Sequence, residues 1–251
     1  MAGRKDIHNS EMPIVCQACE ARHKGVCGAL SAEQLVRLSK HTTKSMHGRD
    51  VVLTEPVSET ADTYANILSG VVKLTKLMPD GRQQIVGLQF APDLTGRPMA
   101  ANDDVVAEAA TNVRLCSFPK SVLEEMLQES PDMALRLHRQ TLAELEEART
   151  WLLTLGRKSA AEKLASFLLL IASHLDPEHP DGAVIEFELP LKRSDIADFL
   201  GLTTETVSRQ MTNLRKRGLL ELLDRRIISI PDLGALRRAS EHDPARASNS
   251  L

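Results

Sequence analysis

The chain has 251 residues, of which 42% are hydrophobic and 26% charged, with a net charge of −3. That length suits one large domain or two modest ones, and the composition excludes a fibrous or wholly disordered chain. The balance of charge also excludes a general polyanion binder, and 3% aromatics argues against a base-stacking platform for single-stranded nucleic acid.

Apolar runs such as Phe167 to Ala172 fall far short of the roughly 20 residues a membrane-spanning helix needs. The first residues, Met-Ala-Gly-Arg-Lys-Asp, carry no apolar segment of a secretory signal, so a cytoplasmic location with no membrane partner is expected. Residues 1–12 read as loose and polar. Ser31-Ala-Glu-Gln34 reads as a helix start, with Ser31 as N-cap and Gln34 completing a capping box.

From about Gly48 the pattern becomes one of short β-like runs. These are Val51–Leu53, Tyr64–Leu68, Val71–Met78, Gln83–Phe90, Val105–Ala110 and Val113–Phe118. Ser69-Gly70 and Pro79-Asp80-Gly81 punctuate them as turns, since Gly takes positive φ and Pro presets the first corner. Strands at this spacing predict an antiparallel barrel or roll.

Ser121 to Glu129 reads as a short helix, and Pro131 opens a much longer one. Along it His138, Thr141, Leu145, Ala148, Leu152 and Leu155 recur at alternating intervals of three and four, the spacing of a dimer seam. A second stripe, Leu135, Leu142 and Trp151, is expected to pack on the helix's own domain while the seam faces a second copy. A further helix over Ser159–Leu175 follows, then a loop over Asp176–Gly182 and a strand over Val184–Leu189. Two helices within Lys192–Gly218 come next, then a hairpin over Leu219–Ile230 pivoting at Asp224-Arg225-Arg226. The last fifteen or so residues read as frayed.

The two-helix segment is the sharpest signal. Ser194 is placed to cap a first helix with Ile196, Ala197 and Leu200 inward, and Gly201 breaks it. Thr203 caps a second helix that buries Val207, Met211 and Leu214, which is helix-turn-helix geometry. The opposite face of that helix presents Thr204, Glu205, Ser208 and Arg209. Arg209 suits guanine O6 and N7, Glu205 suits a cytosine N4, and their spacing lets Glu205 orient Arg209. Between Leu189 and Arg226 eight basic residues face five acids, a local +3 in 38 residues. With the flanking strand and basic hairpin, this predicts binding to double-stranded DNA.

Cys16, Cys19 and Cys27 fall within twelve residues, and Cys116 is distant. Four soft ligands suit an iron–sulfur cluster or zinc. Zinc is usually held by two knuckles of paired ligands, so a triad with one distant Cys leans towards iron–sulfur. Gly156-Arg-Lys-Ser159 fails as a phosphate loop because Trp151 stands at its first Gly position. No nucleophile elbow, metalloprotease motif or paired carboxylates are evident, so no enzymatic activity is expected.

Over roughly residues 14 to 235 the chain resembles the CRP–FNR family of bacterial transcription regulators, and within it the oxygen-sensing FNR-type proteins. Glu205-Thr-Val-Ser208-Arg209 resembles the signature Glu-x-x-Ser-Arg, and Cys116 before Ser-Phe-Pro resembles the fourth ligand position. The seven-residue gap before Cys27 is similar to the alphaproteobacterial branch. The resemblance implies an α+β fold with five parts. These are a cysteine segment (1–30), an antiparallel β-roll like a cyclic-nucleotide-binding domain (31–130), a dimerisation helix (131–157), a winged helix-turn-helix (158–236, motif about 193–213) and a flexible tail (237–251).

The resemblance further implies one [4Fe-4S] cluster per subunit on Cys16, Cys19, Cys27 and Cys116. Assembled without oxygen, it supports a homodimer on an inverted repeat like TTGAT/ATCAA, and oxygen weakens that dimer. Glu205, Ser208 and Arg209 would read bases, Thr204 would lie near a thymine methyl, and Met78–Gln84 would touch RNA polymerase. The alternative is a regulator of the same fold with a structural zinc or thiol redox site. A cyclic-nucleotide-type binding module without gene-regulatory action is a third reading. Against it, Asp93-Leu-Thr-Gly-Arg-Pro-Met99 stands where the cyclic-nucleotide branch carries its phosphate cassette, so no cyclic nucleotide is expected. Ala148 stands where some relatives carry an acid, which removes like-charge repulsion and predicts a dimer less labile to oxygen.

Overall fold

A computed structural model of the chain describes residues 13–17, 19–53, 63–96, 105–177 and 184–241. The expectations for residues 1–12 and for Arg97-Pro98-Met99 lie outside these. Two compact units divide near Glu146, and each is described by itself.

The first unit begins with α1 (Ile14–Gln17), α2 (Glu20–His23), a 3-10 turn over Val26–Ala29 and α3 (Ala32–Ser39). Ser31 and Gln34 form the expected capping box, Ser31 Oγ accepting from Gln34 N and Gln34 Oε1 from Ser31 N. The strands are β1 (Thr43–His47), β2 (Thr63–Ser69), β3 (Val71–Leu77), β4 (Gln83–Phe90), β5 (Leu94–Gly96), β6 (Val105–Ala109) and β7 (Val113–Pro119). They form two antiparallel sheets, β1-β7-β2-β5 and β4-β3-β6. Ala65, Ile67, Val72, Ala107, Val113 and Leu115 make one buried core between strands of both sheets. Gly70 and Gly81 hold φ of 92° and 84° at the two expected turns.

One expectation needs correction here, and two strands went unforeseen. Val51–Leu53 is no full strand: Val52 makes a single bridge to Glu108, and the segment follows β6 irregularly after Asp50, whose φ is 67°. β1 gave no apolar alternation because Thr43-Lys-Ser-Met-His is a polar edge strand held by its ladder to β7. β5 is only three residues long, too short for a period to show.

The chain then enters α4 (Lys120–Glu129) and α5 (Pro131–Arg157), a helix of 27 residues. The second unit holds α6 (Ala160–Leu175), β8 (Ile185–Glu188), α7 (Arg193–Leu200), α8 (Thr204–Lys216), β9 (Glu221–Leu222), β10 (Ile227–Ile230) and α9 (Leu233–Glu241). The sheet order is β8-β10-β9. Apolar residues of α6, among them Leu164, Phe167, Leu168 and Ile171, are wholly buried. Phe199 joins them edge-on, its ring 4.6 Å from Trp151 and 5.8 Å from Phe167.

Two corrections apply to this unit. Ser194 does not cap α7: Lys192 stands at the N-cap, and Asp195 accepts from its N–H. The tail expected from about residue 237 is corrected at its start: residues 237–241 complete α9, where Leu236, Ala239 and Ser240 are buried, and the rest of that expectation lies outside the described residues. Only three buried side chains anchor that helix, so its polar face dominated the sequence pattern.

Candidate functional site: a thiol-lined cavity and an exposed helix face

Four thiols from distant parts of the chain surround one small cavity. Cys16 lies in α1, Cys19 just after it, Cys27 in the 3-10 turn and Cys116 on β7. Turn geometry presents the triad, with Cys19 N donating to Cys16 O and Arg22 N to Cys19 O. Sheet register presents the fourth: Cys116 lies opposite Lys44 on β1 and Asn66 on β2, which places all three in one row across the sheet. Leu35 and Leu38 of α3 supply an apolar wall, and the cavity volume is about 30 Å³.

Burial governs the chemistry of these thiols. It pushes Cys27 up to about 12, with Cys116 adding to the rise and a hydrogen bond from Asn66 opposing it. Burial also raises Cys16 and then Cys116, whose sulfurs repel one another as thiolates, while Lys44 eases both. Thr42 also hydrogen-bonds Cys116, and Arg22 also eases Cys16. Burial of this kind makes the bare thiols of Cys16, Cys27 and Cys116 poor nucleophiles.

The donor set fits a soft metal centre. Asn66, 2% exposed, donates from Nδ2 to Cys27 Sγ at 3.3 Å, the kind of contact that supports a thiolate ligand. Its Oδ1 is buried without a partner among the described residues. No three His, Cys, Asp or Glu groups among the described residues converge around a point that suits a single metal ion. The thiols instead surround a space. Sequence reasoning missed Lys44, Thr42 and Asn66, and nothing short of the strand register would have revealed them.

The second site is α8. Gly201, with φ of 62°, ends α7, and Thr203 Oγ1 accepts from Thr206 N to start α8. Val207, Met211 and Leu214 are buried, so Thr204, Glu205, Ser208 and Arg209 share the exposed face. Ser208 Oγ donates to Thr204 O, and Thr212 Oγ1 to Ser208 O. The expected Glu205–Arg209 pair does not form among the described residues, so both side chains are free for a ligand. Arg226 is structural: it pairs with Glu188 and donates to Leu189 O, while Arg225 is exposed.

The predicted seam of α5 lies open. His138, Thr141, Leu145, Ala148 and Leu152 are exposed, Leu152 by 72%, and Leu155 is half-buried. The second stripe is corrected: Trp151 packs on Phe199, but Leu135 and Leu142 are each 47% exposed. Packing inward falls instead to Met133 and Leu137, whose positions fit no apolar run. Met78–Gln84 forms an exposed hairpin tip, fastened by Met78 N to Arg82 O and an Asp80–Arg82 ion pair. A larger cavity, about 570 Å³, opens in the second unit beside Trp151, Lys158 and Arg237, away from every thiol.

Comparison with known proteins decides the family. Residues 162–239 match the Crp-like helix-turn-helix domain, and residues 47–130 match the cyclic nucleotide-binding domain. A probable transcriptional activator of Rhizobium leguminosarum bv. viciae is 48% identical over 94% of this chain and 97% of that protein. The chain belongs to the CRP–FNR family. The transcriptional activator protein FnrL of Cereibacter sphaeroides is 36% identical over 93% of this chain and 96% of its own. The solved structure of FixK2 from Bradyrhizobium japonicum matches with a TM-score of 0.69 and 30% identity, over 80% of this chain and 98% of that one. The chain is therefore a transcription regulator built as a β-roll, a long helix and a winged helix-turn-helix. Regulators of this family bind DNA and typically act as dimers. No helix among the described residues is long and apolar enough to cross a membrane.

Proposed function

We propose that this regulator responds to oxygen through one [4Fe-4S] cluster per subunit held by Cys16, Cys19, Cys27 and Cys116. One observation carries the reading: a turn-rich segment and a strand more than eighty residues later bring all four thiols to one cavity. Structural zinc is usually held by two knuckles of paired ligands, and a triad with one distant thiol is a different arrangement. Burial that keeps Cys27 protonated disfavours a thiol switch that starts at Cys27. Such a cluster supplies an inorganic centre whose stability depends on oxygen.

The chain's own residues do the rest. Lys44 and Arg22 offset the negative charge the four thiolates gather, and Asn66 directs an N–H at Cys27 Sγ. The open face of α5 joins a second copy. Glu205, Ser208 and Arg209 read an inverted repeat like TTGAT/ATCAA, with Thr204 beside a thymine methyl. The Met78–Gln84 tip offers a surface to RNA polymerase.

The test is iron, acid-labile sulfide and zinc per chain, with an absorbance spectrum, on protein purified without oxygen and then exposed to air. About four irons and four sulfides, with a broad visible band that air bleaches, are expected. One zinc, no sulfide and no response to air would overturn the reading.

A further inference from the structure

The turn that carries Cys27 is hydrogen-bonded to the long helix by an arginine side chain. Arg136 of α5, half-buried, donates from Nη1 to the carbonyl of Gly25 at 2.7 Å across 111 positions of sequence. That carbonyl is the N-terminal anchor of the turn, since Gly28 N also donates to it at 3.1 Å. The guanidinium lies directly against Gly28: a Cβ there would fall 1.8 Å from Arg136 Nη1 and 2.9 Å from its Cζ. The absence of a side chain at Gly28 is thus what admits the contact. Either side of it, Met133 and Leu137 of α5 pack with Val26, Cys27 and Leu30 in one cluster.

We infer that Arg136 is a positioning residue that couples the Cys27 turn to α5, so that the state of the thiols sets the position of the helix; this rests on the cluster reading above. The guanidinium is planar and rigid, and it holds both the direction and the distance of the carbonyl it grips. Arg136 and His138 are two residues apart, about 200° around the helix, so the first turns of α5 face the cysteine turn on one side and the seam on the other. A displacement of the Gly25–Gly28 turn therefore reaches the seam through one guanidinium and two apolar contacts. The long side chain of Arg136 is not part of the proposed ligand set, so its loss leaves the four thiols in place.

The test compares the full-length parent with Arg136→Met and Arg136→Lys, each metal-free and after anaerobic reconstitution with iron and sulfide. Iron and sulfide per chain, dimer dissociation by sedimentation, and amide exchange over residues 25–30 and 131–138 are measured. Arg136→Met is expected to take up iron and sulfide as the parent does, while the tightening of the dimer on loading falls at least tenfold. Arg136→Lys, which can still donate to Gly25 O, recovers part of it. In the metal-free chains, exchange over both segments rises together in Arg136→Met. Tightening equal to the parent's overturns the inference, and so does exchange that changes in one segment alone. An Arg136→Met chain that takes up no iron also overturns it, because the guanidinium then merely builds the pocket. A parent without iron or sulfide overturns the cluster reading and this one with it, and that result is visible before any variant is made.

Discussion

Replacing Arg209 with Ala separates base reading from general attraction to DNA. Arg209 is exposed and makes no ion pair among the described residues, so its removal changes folding stability by no more than about 0.5 kcal/mol. The whole effect should therefore appear in binding. A bidentate contact to guanine is worth about 1–3 kcal/mol of discrimination, and a symmetric dimer makes two, so the loss on the cognate repeat is roughly 2–6 kcal/mol. At 1.4 kcal/mol per tenfold, that is a weakening of about thirtyfold to 10⁴-fold. Fluorescence anisotropy on the repeat, on repeats changed at one base pair per half-site and on scrambled DNA, each at several salt concentrations, measures it. The variant should lose affinity for the repeat, become indifferent to the base it read, and keep the parent's salt slope. An equal loss on every sequence, with the slope reduced by about 0.9 for each Arg209, would make Arg209 a phosphate contact and refute the assignment.

Two further substitutions test the remaining geometry. Asn66→Leu removes a buried acceptor with no partner, which costs the native state about 1–3 kcal/mol, along with a donor to Cys27. The metal-free variant should gain about 1 kcal/mol in urea unfolding while the visible band of the loaded protein decays faster in air; a destabilised metal-free chain would refute the account of Oδ1. Leu152→Ala trims a side chain that is 72% exposed in the single chain, so the monomer's melting temperature should hold while the dimer, which loses two such groups, weakens by roughly 2–4 kcal/mol in sedimentation. An unchanged dimer would move the interface off this face.

Legibility followed the range of the interactions. The capping box at Ser31, the turns at Gly70 and Gly81 and the apolar face of α8 are set by residues within four positions of one another, and the sequence showed each. The cap of α7 was misplaced by two residues because Ser194 looks like the better N-cap, yet Asp195 satisfies the N–H of Lys192 from inside the first turn. The thiols themselves were visible as a spacing. Their surroundings were not, because Lys44 and Asn66 meet Cys116 only through pairing between β1, β7 and β2. The same holds for α5: its heptad spacing is a local property, but which of its stripes turns inward depends on partners such as Phe199 and Leu30 that no window of sequence contains.

The composition of the seam explains why a coupling of modest size can act as a switch. Of its six members, His138 and Thr141 are polar, Thr141 already donates to Leu137 O, and Ala148 is small. Leu145, Leu152 and Leu155 are left to supply the apolar gain from each chain. At about 1.5–3 kcal/mol for each leucine buried from full exposure, scaled down for Leu152 at 72%, Leu145 at 45% and the half-buried Leu155, two chains gain roughly 5–9 kcal/mol. Association costs about 4–15 kcal/mol in lost freedom at the 1 M standard state. Gain and cost are of one size, so these leucines alone give a weak dimer: half-dissociation at micromolar concentration needs a net of about −8 kcal/mol, and the balance has to come from other contacts. A seam of six leucines would hold the dimer whatever the state of the thiols. With this one, a shift of one or two kcal/mol through the proposed Arg136 link would change the dimer dissociation constant about fivefold to thirtyfold, and with it the number of Arg209 side chains presented to DNA as a pair.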